Sequence, residues 1–189
     1  MKNISIDGLC ELASYEALST SLYLDSVGVR TIGLGSTISD IPDIASWPWT
    51  KTITIQEACD LYKKSLVKYV AAVNKALNVT VTQGQFDALV CFAYNVGTSG
   101  MSNSSLVKYI NNGDSDIKIR AGFMAWNKGT IGGKKVVIKG LTNRRNAEAN
   151  LYIQGIYVSD GTILHFPVGG VGHTPQYKNS VKVDIKPYL

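Results

Sequence analysis

Apolar side chains recur every three or four residues in several stretches of the chain, which predicts amphipathic helices. The first stretch covers residues 5–16, and its apolar face contains Ile6, Leu9, Cys10, Leu12 and Ala13. A capping box, Thr54 with Glu57, precedes a much longer stretch. There the apolar positions continue at helical spacing and predict one long helix over residues 55–77.

Further helices are predicted toward the C-terminus. After a second capping signal at Thr82 and Gln85, residues 86–96 are apolar on nearly every side, which is typical of a helix buried in a core. The other helical patterns cover residues 103–111, 115–125 and 142–154. Together these patterns predict an α+β protein that is mostly helical.

Alternating apolar and polar residues predict short strands elsewhere. Residues 22–25 and 29–35 flank the turn Ser26-Val27-Gly28, in which the glycine can supply the positive φ of a tight hairpin. Residues 127–139, rich in glycine and lysine, predict a mobile loop or a small hairpin. In the tail, residues 156–189, apolar positions separated by Gly and Pro predict strands or an extended wrap.

The composition is that of a folded protein: 189 residues with 45% hydrophobic content can bury one core, or a core in two lobes. No stretch approaches the roughly 20 apolar residues of a membrane span, and the N-terminus lacks the pattern of a signal peptide. We therefore expect no stable membrane insertion and a mature chain that starts in a cytoplasm. Without a Gly-Lys-Ser/Thr phosphate loop, nucleotide binding is not expected.

The net charge of +5 suits an anionic partner such as a bacterial cell wall or nucleic acid, although such a surplus is often only solvated surface. Three cysteines, Cys10, Cys59 and Cys91, are too few and too distant for a disulfide framework, so we expect buried thiols. His165 and His173 match no metal motif, and no metal site is expected.

Two carboxylates and a hydroxyl stand at fixed spacing near the N-terminus. Eight residues separate Glu16 from Asp25, and five separate Asp25 from Thr31. Glycosidic cleavage by a positioned water needs an acid for the leaving oxygen and a base for the water. Glu16 falls at the end of the first predicted helix, where the helix dipole favours the protonated acid. Alone, Asp25 could be a turn aspartate and Thr31 an ordinary strand threonine.

These residues resemble those of a known family, the phage-type lysozymes (endolysins) of glycoside hydrolase family 24. The similarity begins with Glu16, Asp25 and Thr31 and the run Thr-Ile-Gly-Leu-Gly at residues 31–35. Later signatures follow in the family's order, at residues 85–90, 94–97, 126–129 and 140–148. The resemblance covers roughly residues 4–155, with Ala17 standing where the family usually has Gly.

The resemblance implies a lysozyme-like two-lobed fold with a small β-hairpin lobe, a long connecting helix and a helical C-terminal lobe. We expect a catalytic domain over residues 1–155 and an extension, residues 156–189, packed on it. Asn95, Arg144 and Gly33 are the implied substrate-binding residues. Asn95 is interpreted either as a substrate-positioning amide or as a helix C-cap.

Arg144 matches a basic residue that lies next to the family's catalytic glutamate. A positive neighbour would favour ionised Glu16 and so oppose the helix dipole. The alternative is that Arg144 and Arg145 form a solvated pair. Residues 36–51 predict an irregular loop or a short strand with turns. Trp47 and Trp49 in this segment either stack on sugars or, as we favour, seal the edge of the small lobe.

By the resemblance, the chain is a muramidase that cleaves the β-1,4 bond between N-acetylmuramic acid and N-acetylglucosamine, with no cofactor. Its partner would be peptidoglycan glycan strands and not nucleic acid, and it would act as a monomer held in the host cytoplasm until release. The intact Glu16, Asp25 and Thr31 set argues against a catalytically silent wall-binding module and against a lytic transglycosylase. Because Thr31 can enter between carboxyls on separate elements, we expect inversion by a water.

Overall fold

The computed structural model of the protein describes residues 1–25, 28–169 and 173–189. These residues form seven α-helices and nine short β-strands, which confirms the predicted α+β class with a predominance of helix. The chain divides into two compact units. Unit 1 contains residues 1–8 and 68–158, and unit 2 contains residues 9–67 and 159–189. Each unit is therefore built from two separate stretches of chain.

The helices lie close to their predicted positions. Their bounds are α1 Ile6–Ala13, α2 Ile55–Ala76, α3 Gln83–Val96, α4 Thr98–Ser102, α5 Ser105–Asn111, α6 Asp116–Met124 and α7 Lys139–Gln154. The short α4 is an addition to the predicted set, and the long helix α2 contributes residues to both units. Within the described parts of the chain, no helix combines the length and the apolar character needed to cross a membrane.

Both predicted capping boxes are present. The Thr54 backbone N–H donates to Glu57 Oε2 at 2.7 Å, and the Glu57 N–H donates to Thr54 Oγ1 at 3.1 Å. Thr82 and Gln85 form the same reciprocal pair at the start of α3. Because these bonds satisfy backbone donors that have no partner inside the helix, local sequence sets the first residues of α2 and α3.

Unit 2 contains a three-stranded antiparallel sheet. Its strands are β1 Ser19–Leu24, β2 Arg30–Gly33 and β3 Ser36–Thr37, in that order. Of the predicted turn, Ser26 and Val27 lie outside the described residues, and Gly28 has the expected positive φ, at 82°. The third strand lies in residues 36–51, so of the two alternatives predicted there the short strand with turns is correct, and a short 3-10 helix follows it.

Unit 1 is organised around α3. Residues 86–93 are all buried, as predicted for a helix that is apolar on nearly every side. The edge of the Phe92 ring meets Phe123 and Trp126, with centroids 5.4 and 5.9 Å apart. Between α6 and α7, strands β4 Lys128–Ile131 and β5 Lys134–Val137 pair as a hairpin, so the second of the two predicted alternatives is correct there.

The residues from 159 onward belong to unit 2. Strand β6, Thr162–His165, pairs with β9, Val181–Asp184, and β7, Val168–Gly169, pairs with β8, Thr174–Pro175. Among the described residues of this segment, three apolar side chains are buried, namely Ile163, Phe166 and Ile185. The alternation of apolar residues therefore corresponds to strands with a buried face.

The cysteines have a purely structural environment. Cys10, Cys59 and Cys91 are free and buried, which confirms the prediction of buried thiols. Burial raises the pKa of the Cys59 thiol to about 11. This thiol therefore stays protonated, and so unreactive, near neutral pH.

Candidate active site

Glu16 lies just beyond α1, in the turn that leads to β1. Its backbone N–H donates to the Ala13 carbonyl oxygen at 3.0 Å, and Ser14 Oγ donates to the Glu11 carbonyl oxygen at 2.6 Å. The prediction that the helix reaches Glu16 is therefore wrong, because these turn bonds close it at Ala13. The influence of a helix dipole falls off within the last turn of the helix. Because α1 ends three residues before Glu16, its dipole acts less directly on the half-buried Glu16 side chain than predicted.

Asp25 follows β1 directly and closes the turn to β2. Its backbone N–H donates to the Val29 carbonyl oxygen at 3.0 Å, and its Oδ1 accepts the Val29 N–H at 2.8 Å. The Gly28 N–H donates to the Asp25 carbonyl oxygen at 3.0 Å. Asp25 is thus a turn aspartate, and the same bonds orient the carboxylate that the catalytic prediction requires.

Thr31 lies on β2, opposite Tyr23 of β1 and Thr37 of β3. It is only 2% exposed, and its Oγ1 donates to the Val29 carbonyl oxygen at 3.0 Å. A hydroxyl whose proton is used in this way presents its lone pairs as acceptors. Thr31 can therefore hold a water by accepting one of the protons of that water.

Tyr23 links the three predicted catalytic residues, although the sequence does not single it out. It is 8% exposed and pairs with Thr31 across the sheet. Burial raises the pKa of the Tyr23 phenol, and charges at Tyr177, Glu16 and Asp25 raise this pKa further. Both carboxylates therefore act through space on one hydroxyl. A tyrosine inside a strand is an ordinary sheet residue by its pattern, so the sequence carries no signal for this position.

Gly33 ends β2 with a φ of 67°, in the region that favours glycine. A Cβ added there would lie 3.6 Å from Ala58, an ordinary van der Waals distance. Backbone conformation, and not lack of space, therefore requires glycine at this turn into β3. The substrate-binding role of Gly33 stays a prediction.

Trp49 makes contacts on its ring faces within unit 2. The Arg30 guanidinium carbon lies 4.3 Å from the Trp49 ring centroid, and the His173 ring stacks on Trp49 with centroids 3.9 Å apart. Arg30 also donates to the carbonyl oxygens of Ala45 and Trp47. Because protein groups already cover Trp49, these contacts support the structural role favoured above over sugar stacking.

Asn95 and Arg144, the other predicted substrate-binding residues, belong to unit 1. Asn95 is exposed in the last turn of α3, and the C-cap is Gly97, whose N–H donates to the Ala93 carbonyl oxygen at 2.9 Å. The interpretation of Asn95 as the C-cap is therefore wrong. An exposed amide offers both a donor and an acceptor, and its role in substrate positioning stays a prediction.

Arg144 and Arg145 are buried, so the solvated pair is also wrong. Arg144 Nε and Arg145 Nη2 both donate to Glu148 Oε1, at 3.1 and 2.7 Å, and Arg144 Nη2 donates to the Cys91 carbonyl oxygen at 3.2 Å. Burial raises the pKa of Glu148, and the two guanidinium groups oppose that rise. Arg144 is thus held firmly within unit 1, and its predicted proximity to Glu16 stays a prediction.

The groups assembled in unit 2 form a coherent chemical set. Glu16 lies in the turn between α1 and β1, and Asp25 lies in the hairpin turn between β1 and β2. Thr31 lies on β2. Two carboxyl groups and a hydroxyl acceptor can supply a general acid, a general base and a water ligand. This is the requirement of glycosidic cleavage by water.

Comparison with known proteins gives the family. The phage lysozyme family model matches residues 13–148. The endolysin of Bacillus phage PZA is 40% identical over 176 residues, which cover 92% of this chain and 59% of that protein. The endolysin of Bacillus phage B103 is 38% identical over 155 residues, 81% of this chain and 55% of that protein. This chain therefore spans little more than half the length of these two relatives.

A solved structure agrees on the fold. The endolysin from Escherichia coli O157:H7 phage FAHEc1 matches with a TM-score of 0.76 and 37% identity, over 84% of this chain and 98% of that chain. The α+β architecture is thus a lysozyme fold, as predicted. The family match covers most of the chain and includes Glu16, Asp25 and Thr31. The chain therefore belongs to the phage lysozyme family.

Proposed function

We propose that the protein is an endolysin-type muramidase that hydrolyses the β-1,4 bond between N-acetylmuramic acid and N-acetylglucosamine in bacterial peptidoglycan. The observation that carries the proposal is that the turn before β1, the turn after β1 and the paired strand β2 of one unit supply Glu16, Asp25 and Thr31. The similarity to the endolysins of two Bacillus phages supports it.

In this proposal Glu16 protonates the glycosidic oxygen, and Asp25 takes a proton from the attacking water. Thr31 Oγ1, whose own proton goes to the Val29 carbonyl oxygen, accepts a hydrogen bond from that water. The substrate-binding roles predicted for Gly33, Asn95 and Arg144 belong to the same proposal. Side chains alone carry both proton transfers, so no cofactor takes part.

Mass spectrometry of digested peptidoglycan tests the proposal directly. A muramidase releases fragments with reducing ends, a lytic transglycosylase releases anhydro ends, and a silent wall-binding module releases nothing. We expect reducing ends only. Anhydro ends would indicate a lytic transglycosylase instead. Intact glycan after prolonged digestion would indicate a silent wall-binding module.

We further propose that the reaction inverts the anomeric configuration. Glu16 and Asp25 belong to separate elements, and Thr31 Oγ1 is a good water ligand but a poor nucleophile without an adjacent base. Inverting glycosidases keep their carboxyls about 6.5–9.5 Å apart to admit a water, whereas retaining ones hold them at about 5–5.5 Å. Proton NMR should therefore detect the α-anomer first. A β-anomer, or a glycosyl-enzyme trapped on Asp25, would instead indicate retention.

The β4–β5 hairpin is proposed to attract the anionic wall. No Asp or Glu occurs between Asp116 and Glu148, and this stretch carries eight Lys and Arg residues. Four of them, Lys128, Lys134, Lys135 and Lys139, are exposed on or beside the hairpin. Exposed charges act at longer range at low salt, because the screening length is about 30 Å at 0.01 M and about 8 Å at 0.15 M.

Wall lysis should therefore slow as salt rises, while cleavage of short soluble oligosaccharides changes little. The double variant Lys134→Gln/Lys135→Gln should lyse walls roughly twofold to fivefold more slowly at low salt and show a weaker salt dependence. The control Lys64→Gln/Lys75→Gln removes the same charge from exposed positions of α2. Equal losses in both variants would mean that net charge, and not the hairpin, matters.

The proposal includes a monomer that acts on glycan strands, does not bind nucleic acid, and waits in the host cytoplasm for access to the wall. Light scattering of the purified protein measures its oligomeric state. A gel-shift titration with DNA measures nucleic-acid binding. A stable dimer, or DNA binding at physiological salt, would contradict these two parts without affecting the proposed reaction.

A further inference from the structure

The residues from 159 onward flank both predicted catalytic carboxylates. Leu18, two positions after Glu16, donates its N–H to the Leu164 carbonyl oxygen at 2.8 Å and accepts the Phe166 N–H at 3.0 Å. Leu24, one position before Asp25, donates its N–H to the His173 carbonyl oxygen at 3.1 Å. Backbone hydrogen bonds from one C-terminal segment thus hold the chain next to Glu16 and next to Asp25.

A row of three aromatic rings leads from the catalytic sheet outward along this segment. The Tyr23 ring meets Phe166 edge-on with centroids 5.2 Å apart, and Phe166 meets Tyr177 with centroids 4.8 Å apart. Tyr23 and Phe166 are buried at 8% and 1% exposure, whereas Tyr177 is 61% exposed. The row therefore begins opposite Thr31 and ends at a ring that solvent reaches.

Tyr177 also lies near Tyr23, the residue opposite Thr31 in the sheet, because both rings contact Phe166. It acts through space on the Tyr23 phenol, as Glu16 and Asp25 do, and together with burial these groups raise the pKa of Tyr23. Its backbone is fixed by a short 3-10 helix, Tyr177–Asn179, and by the bond from the Gln176 N–H to the Pro167 carbonyl oxygen at 2.9 Å. The exposed ring is thus presented from an ordered turn.

A single exposed aromatic residue is ordinary on a protein surface and needs no explanation by itself. Tyr177 differs because its ring packs on the buried Phe166, which contacts Tyr23 opposite Thr31, while Tyr177 itself is mostly exposed. Aromatic rings stack on the apolar C–H face of sugars, and the phenol adds a polar group at the rim.

We propose that Tyr177 is a substrate-contact residue whose ring stacks on the apolar face of an N-acetylated amino sugar next to the cleaved bond. Tyr177 and its 3-10 turn, together with the sheet of unit 2, then form a sugar-binding wall of the active site. This inference rests on the proposed muramidase function.

Steady-state kinetics on soluble glycan fragments test it. Tyr177→Ala should raise KM about threefold to tenfold, as expected for the loss of one ring contact, and change kcat by less than about twofold. Tyr177→Phe, which keeps the ring, should stay near wild type. Lys178→Ala, an exposed neighbour on the same turn, is the matched control and should leave both constants unchanged.

Thermal melting separates contact from folding. Because the ring is mostly exposed, Tyr177→Ala should lower the Tm by no more than about 4 °C. A KM equal to that of the wild type would overturn the inference. A lost kcat together with a large drop in Tm would overturn it as well, since the ring would then be structural. If the wild type releases no reducing ends, the muramidase proposal falls together with this inference; if it does, a negative result removes Tyr177 alone.

Discussion

Replacement of Glu16 by glutamine should abolish wall lysis and leave the Tm unchanged. The amide is nearly isosteric with the carboxylic acid but cannot give a proton to the leaving oxygen, and general acid catalysis contributes about 10²–10⁴ in rate. The glutamine keeps the size and shape of the half-buried glutamate side chain, so the change should not disturb the fold. Turbidity loss of a wall suspension measures the activity.

The control for this variant is Glu57→Gln. Glu57 is an exposed carboxylate of the same unit whose oxygen accepts the Thr54 N–H, a bond that the glutamine oxygen can also accept. It should retain nearly full lysis. If Glu16→Gln instead keeps most of its activity with unchanged melting, Glu16 has no part in the mechanism.

Replacement of Phe166 by alanine should destabilise unit 2 by about 3–5 kcal/mol, the usual cost of removing a fully buried Phe side chain. Phe166 is 1% exposed, packs between Tyr23 and Tyr177, and its N–H bonds to the Leu18 carbonyl oxygen. The loss should also lower activity, because the cavity would lie beside the catalytic sheet. Denaturant unfolding measures the free energy of unfolding.

Leu164→Ala is the matched control on the same segment. Leu164 is 47% exposed, and the variant keeps the backbone carbonyl that binds Leu18, so we expect a change within about 0.5 kcal/mol. Limited proteolysis gives an independent check. Rapid loss of residues after 155 from the wild type, with unchanged stability of the remainder, would contradict the packing role assigned to Phe166.

The arginine pair shows where sequence reasoning reaches its limit. Arg144 and Arg145 stand four and three residues before Glu148, a spacing that allows an ion pair on either a wet or a buried helix face. The packing of α7 against α3 buries the pair, since it brings the Cys91 carbonyl oxygen to Arg144 and the Phe92 ring to Arg145. Burial of this kind depends on a contact between distant parts of the chain, which periodicity does not encode.

The end of α1 is a second case. The apolar spacing continues toward Glu16, yet the helix stops at Ala13. The chain must instead leave the helix in time for Leu18 to bond with Leu164 and Phe166, nearly 150 residues later in the sequence. The local turn bonds that close the helix at Ala13 thus agree with a long-range contact that periodicity does not encode.

By itself, the sequence determined the features that depend on neighbouring residues. The capping boxes set the starts of α2 and α3, Gly28 supplies the positive φ of the hairpin, and the spacing of Glu16, Asp25 and Thr31 identified the candidate chemistry. These follow from local hydrogen bonding and backbone sterics.

Only the tertiary structure decided which groups meet across long separations. It paired β3 with β2, set Tyr23 opposite Thr31, and used the C-terminal segment to hold both ends of β1. Strand pairing and burial are contacts between residues far apart in the chain, and their free energy comes from apolar surface and hydrogen bonds that no short stretch contains. For this reason Tyr177 emerges from the fold and not from the sequence pattern.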